Sequence, residues 1–172
     1  MFQNSEKIQS ILNRYDNIFK GLGQSIGLPE KLHINESVPA VAQQHRRVPF
    51  HMRKKVERAL DALEADDIIE KVEGGIATPW ISPIVCVPKS GCEEIRTCVD
   101  MRQANTAIER ERHLMPTMDD LIHDLNGAKY FSKIDLNQGF HQLCLSEESR
   151  YITTISTHKG LYRYKRLNFG IN

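Results

Sequence analysis

The chain opens MFQNSEK, without a basic segment followed by an apolar one, and it has no apolar run of membrane-spanning length. These absences predict a soluble, intracellular, cytoplasmic chain with no membrane partner. The four cysteines, Cys86, Cys92, Cys98 and Cys144, include no C-x-x-C pair and no matching His spacing, which argues against zinc and for reduced thiols. Cys86 and Cys98 fall in β-type runs, where small buried thiols are expected. There is no internal repeat and no low-complexity tract. Charge of one sign is missing too: the formal net charge is +1, so composition alone announces no nucleic-acid partner. What is present is 40% hydrophobic residues over 172 positions, enough to bury a core as one domain or to form a piece of something larger.

Charge is informative by placement. The stretch HRRVPFHMRKK concentrates Arg46, Arg47, Arg53, Lys54 and Lys55, and residues 57–73 are acidic, a pattern that suits a solvated helix face. Ile8, Ile11, Leu12, Tyr15, Ile18 and Phe19 repeat at helical spacing and predict an amphipathic helix over 5–19. Residues 21–49 read as an irregular connector. A second helix is predicted from about Pro49 to Ile69, stopped by Gly74-Gly75, because Met52, Val56, Leu60 and Leu63 share one face. ISPIVCVPKSGCEEIRTCVD then reads as a hairpin turning at Ser90-Gly91, with Arg96, Cys98 and Asp100 on one face and Lys89 near the tip. A third helix is expected over 117–126, where Thr117 and Asp120 resemble a capping box and Gly127 ends the run. Strands are predicted over 129–136, 143–145, 151–157 and 161–167, with a turn at 158–160. This order gives an α+β fold with mostly antiparallel pairing.

Asp135, at the end of FSKID and before a glycine-containing turn, has two readings. Aspartate tolerates turn geometry and bonds its own backbone, so a turn role suffices for it. As a ligand for a hard cation such as Mg²⁺ it needs a second carboxylate nearby. The pairs Asp66-Asp67 and Asp119-Asp120 lie in predicted helices and read as structural, the latter at a helix start. Arg96 and Lys89 could grip a triphosphate, or be ordinary hairpin cations.

The order of blocks narrows the choice. TPWISPIVCVPK, IRTCVDMRQANTAI, HLMPTMDDLIHDLNGAKYFSKIDLNQGFHQL, SRYITTISTHKGLYRYKRL and NFGI resemble, from about Val38 onward, the reverse transcriptase of gypsy-type long-terminal-repeat retrotransposons. The resemblance implies a right-hand polymerase: a lead-in over 1–37, fingers over 38–128 with the hairpin at 81–100, and the start of a palm over 129–172. It implies that Asp135 is the first metal-binding aspartate, with the Leu136 carbonyl as an extra ligand for Mg²⁺ or Mn²⁺. It matches Phe140 to the aromatic that excludes a ribonucleotide 2′-hydroxyl, a residue that could equally be a core aromatic. Arg96 and Lys89 match the triphosphate-binding cations, Phe169 and Gly170 the loop over nucleotide and template base, and Asp100, Arg102 and Asn105 the template border. The implied partners are template–primer, deoxynucleotide and the rest of the Pol polyprotein.

Asn168 stands where the family usually has proline, and Asn137-Gln138 also departs from its pattern. The family's Tyr-X-Asp-Asp turn is not among these 172 residues. The expectation is therefore an incomplete two-metal site and a truncated, association-prone chain that does not polymerise alone. The competing readings are a non-catalytic remnant binding nucleic acid through Arg47, Arg53, Lys89, Arg102 and residues 163–166, and a decayed reading frame with no function.

Overall fold

A computed structural model describes residues 2–88 and 95–172. Lys89 and the predicted Ser90-Gly91 turn lie outside the described residues. The elements are helix α1 (Phe2–Arg14), helix α2 (Phe50–Ala65), strands β1 (Ile69–Lys71), β2 (Ser82–Pro88) and β3 (Ile95–Val99), helix α3 (Met118–Asp124), and strands β4 (Ile155–Thr157) and β5 (Gly160–Tyr164). Short 3₁₀ turns lie between them, the longest at Glu147–Thr153.

The strands form one sheet in the order β1-β5-β4-β2-β3. Only the β2–β4 pair among these is parallel; the others are antiparallel, as the alternating patterns predict. In the β2–β3 ladder Val87 lies opposite Arg96 and Ile84 opposite Val99. Arg96 and Cys98 take the exposed positions of β3, so the predicted polar face is present, whereas Cys98 is not the buried thiol expected of it. At the β4–β5 turn, Gly160 has φ +117°, and the Thr157 hydroxyl donates to its carbonyl at 2.8 Å.

The sheet is covered by α2. Val56 and Leu60 are fully buried against Ile69, Ile84, Ile155 and Tyr164, and full burial of such an aliphatic side chain is worth about 2 kcal/mol. The helix stops at Ala65, before the predicted end. Asp67 adopts a left-handed φ of +56°, a conformation aspartate tolerates, and the buried Ile68-Ile69 pair that follows enters the sheet as β1. Gly74-Gly75 is a later turn. A second cluster gathers Trp80, Met101, Ala104, Ile108 and Ile152.

The connector over 21–49 is irregular, as expected, yet bonded along its length. Glu30 N donates to Cys144 O at 2.7 Å, Asn35 N to Ala107 O at 2.8 Å, and Gln43 N to Ile81 O at 2.9 Å.

The predicted strand over 129–136 is not formed, and Tyr130, Phe131, Ile134 and Leu136 are exposed. A strand needs a neighbour to complete its ladder, and no described strand lies beside this segment. Residues 143–145 make only isolated bridges, Cys144 to Arg166 and Leu145 to Glu30. The predicted strand at 151–157 begins as 3₁₀ helix and pairs as a strand only from Ile155. Helix α3 has the predicted box: Asp120 N donates to Thr117 Oγ1 at 3.2 Å and Thr117 N to Asp120 Oδ2 at 2.9 Å.

Candidate functional site

A cleft of about 550 Å³ opens between the end of α2 and β3. Arg96 and Cys98 of β3, Ala62 and Asp66 of α2, and Gln138, His141 and Phe169 from the loops contribute to its described wall. Of the residues singled out from the sequence, Arg96 and Phe169 therefore share one wall, and Lys89 lies outside the described residues. Phe140 tilts against Phe169 with ring centroids 4.8 Å apart. It is 43% exposed, which removes the core-aromatic alternative.

Asp135 and Leu136 are exposed on the approach to a tight turn. Gln138 takes a left-handed φ of +48° there, and a 3₁₀ turn runs from Gly139 to Gln142. His141 is the buried member of that turn. Its Nδ1 lies 2.8 Å from Gln138 Oε1, and its ring meets Phe169 edge-on at 5.6 Å. Burial, and then the Arg166 guanidinium, hold the His141 pKa below the ordinary imidazole value. Asn137 Nδ2 donates to Gly21 O at 3.0 Å, tying the turn to the connector.

The Phe169-Gly170 loop is anchored from the other side. Asn105 Nδ2 donates to Gly170 O at 2.7 Å, and Asn168, buried, donates from Nδ2 to Phe169 O at 3.1 Å. Gly170 has φ +95°, a left-handed conformation that favours glycine. Asn168 thus occupies the family's proline position as a buried side-chain support for the loop.

Asp100 is engaged within the fold. Its side chain is 6% exposed, and its carboxylate accepts Arg102 Nε and Nη2 at 2.8 Å each and Arg46 Nη2 at 2.6 Å. The Arg102 bonds hold its pKa below the usual carboxylate range, with Arg46 adding to the effect. The RYKR run is likewise occupied: Arg163 pairs with Glu70 at 2.5 Å, Lys165 pairs with Asp67, and Tyr164 is buried. Arg166 is buried too, and donates to the carbonyls of Gly23, Asp67 and His141. Residues 163–166 are therefore bonded within the fold.

Sequence reasoning missed Gln138, His141 and the role of Arg46. Gln138 and His141 are three apart and were readable as a local pair, whereas Arg46 and Asp100 meet only through the fold. Among the described residues no three His, Cys, Asp or Glu side chains gather to hold a metal ion.

Comparison with known proteins gives one consistent answer. Residues 87–172 match the model of the family described as reverse transcriptase (RNA-dependent DNA polymerase). The retrovirus-related Pol polyproteins of the Drosophila melanogaster transposons 412 and opus are 31% and 32% identical, each over 96% of this chain. The chain spans only 14% and 17% of their lengths. The fold is shared with the prototype foamy virus protease–reverse transcriptase, at a TM-score of 0.85 and 18% identity, covering 100% of this chain and 23% of that one. With a family model over half its length and a matching fold, the chain belongs to the reverse transcriptase family, RNA-directed DNA polymerases.

Proposed function

We propose that these residues supply the fingers (38–128) and the start of the palm (129–172) of a retrotransposon polymerase, with 1–37 as the lead-in. The complete enzyme adds deoxynucleotides to a primer 3′-hydroxyl along an RNA or DNA template. The observation that carries this reading is the convergence of Arg96, Gln138 and Phe169 on one cleft, with Phe140 packed on Phe169. Foamy virus protease–reverse transcriptases solved with double-stranded DNA and with an RNA/DNA hybrid support the choice of template–primer as partner.

In this reading Arg96 offsets triphosphate charge through its planar fork, with Lys89 as a second cation. Phe140 closes the space a 2′-hydroxyl would need, and Phe169 with Gly170 covers the nucleotide and template base. Asn105 holds that loop in place. Asp135, exposed and beside the Leu136 carbonyl, suits a hard cation such as Mg²⁺ or Mn²⁺. One carboxylate is not a complete set, so the reading requires further carboxylates from the rest of the Pol polyprotein. A bound divalent ion supplies activation of the attacking oxygen and charge neutralisation.

The test is a chimera in which residues 1–172 replace the matching segment of the transposon 412 polyprotein, assayed by primer extension on an RNA template. Extension is expected, with Arg96→Ala raising the deoxynucleotide KM and Phe140→Ala admitting ribonucleotides. A folded chimera that binds template–primer without extending it would contradict the reading.

A further inference from the structure

The residues GFHQ set two rings side by side on one 3₁₀ turn, and the turn sends them to opposite environments: Phe140 is 43% exposed and His141 8%. His141 N donates to Gln138 O at 2.8 Å and Leu143 N to Phe140 O at 3.1 Å, closing the turn. The His141 ring is enclosed. Tyr164 lies nearly parallel to it at 6.2 Å, Phe169 meets it edge-on at 5.6 Å, and Nδ1 lies 2.8 Å from Gln138 Oε1. Its carbonyl accepts Arg166 Nη1 at 3.1 Å, which fixes the backbone beneath the ring. Phe169 in turn carries Phe140, with centroids 4.8 Å apart. His141, Phe169 and Phe140 therefore form a row from the interior to the surface, and only the first of them is buried.

We propose that His141 is a positioning residue for nucleotide discrimination: from behind, through Phe169, it sets where the Phe140 ring stands. The effect on deoxynucleotide choice rests on the proposed polymerase function; the mechanical link between the rings does not. Edge-to-face pairs hold rings in a preferred relation, and a close-packed interior passes a vacated volume on to its neighbours. Removing the imidazole leaves space on the buried side of Phe169, so Phe169 moves inward and Phe140 follows it away from the ribose position. Protonation acts in the same direction. Burial and then Arg166 disfavour the charged ring, so on gaining a proton it moves toward water and gives up its place behind Phe169. The groups that face the ring or share its cleft are Tyr164 of β5, Arg166 just after it, Asp66 at the end of α2, and Arg96 and Cys98 of β3.

The alternative is a core residue that serves stability alone, and the sign of one effect separates the two. Lost stability lowers deoxy- and ribonucleotide incorporation together, whereas a displaced Phe140 raises ribonucleotide incorporation. In the transposon 412 chimera, His141→Ala is expected to lower the deoxynucleotide kcat/KM and raise the ribonucleotide kcat/KM, so that their ratio falls roughly two- to tenfold. In the unsubstituted chimera the ratio should also fall between about pH 8 and about pH 5.5, a comparison in which groups common to both reactions cancel. His141→Phe keeps a ring behind Phe169, so its ratio should stay near the unsubstituted value and be flat with pH. An unchanged ratio in His141→Ala, with both activities reduced in proportion, would overturn the role, as would the same pH dependence in His141→Phe. Should His141→Ala fail to fold, the two pH profiles decide.

A second measurement needs no activity. In this chain the imidazole stands between Tyr164 and Phe169 and meets both. Nuclear Overhauser contacts between Tyr164 and Phe169 should be gained in His141→Ala, with the Phe140–Phe169 contact kept. Rings that stay in place around the vacated site would refute the positioning. A chimera that extends nothing refutes the polymerase reading and leaves these ring contacts to decide the role of His141.

Discussion

Asp100 and His141 are buried titratable residues beside the exposed ones that match the family; paired arginines shift the first, and burial followed by Arg166 shifts the second. For His141 burial and Arg166 depress the folded pKa below the unfolded value of about 6.5. The stability it contributes is therefore complete above that value and is lost as pH falls through the folded pKa, because the unfolded chain binds the proton first. Tyr164, Phe169 and Gln138 face the ring, Arg166 donates to the His141 carbonyl, and Asp66 and Arg96 line the same cleft. His141→Phe keeps the packing and removes the titration, so the fall in Tm between pH 7.5 and 5 should be smaller than in the unsubstituted chain. An equal fall in both would count against this assignment. Asp100 follows the same sign at lower pH: its depressed pKa stabilises the fold above about pH 3.9, and that contribution disappears in acid. The Thr117–Asp120 box was legible from the sequence because its partners are three residues apart. The Arg46–Asp100 bond, between residues 54 apart, was not.

Among the elements, α2 carries the core and α3 does not. Leu60 is fully buried and Leu121 is 44% exposed, although both were read from the same helical periodicity. Leu60→Ala should cost about 2–5 kcal/mol in denaturant unfolding, and Leu121→Ala about 0.5 kcal/mol or less. Similar losses at both sites would mean that the packing of α2 on the sheet is misassigned. Periodicity found all three helices because a helix closes its own hydrogen bonds. It overran α2 because Ile68 and Ile69 continue the apolar pattern after the chain has turned at Asp67. It predicted a strand over 129–136 because alternation describes which face is apolar, whereas a strand also requires a partner.

Across the whole molecule, the sheet joins the β2–β3 hairpin to the β4–β5 hairpin through one parallel contact, and the connector laces both to the loops around the cleft. What remains is apolar surface without cover: Leu114, Met118 and Ile122 around α3, then Tyr130, Phe131 and Ile134. Contiguous patches of this kind promote association. Sedimentation velocity should show a mass that rises with concentration, and Phe131→Glu with Ile134→Glu should lower it without lowering Tm. A strict monomer at every concentration would contradict this. At this scale the family and its fold were legible from the order of blocks, because loop residues such as Phe169, Gly170 and Asn105 are dictated by the site they form. The anchoring of those loops by buried Arg166 and Asn168 was not, since neither residue type announces burial.

The proposed function turns on Asp135 as a metal-binding aspartate and not a turn residue. In the transposon 412 chimera, Asp135→Asn should abolish primer extension while leaving Tm unchanged, and Asp119→Asn, on the exposed start of α3, should keep turnover. Extension that survives Asp135→Asn would contradict the account.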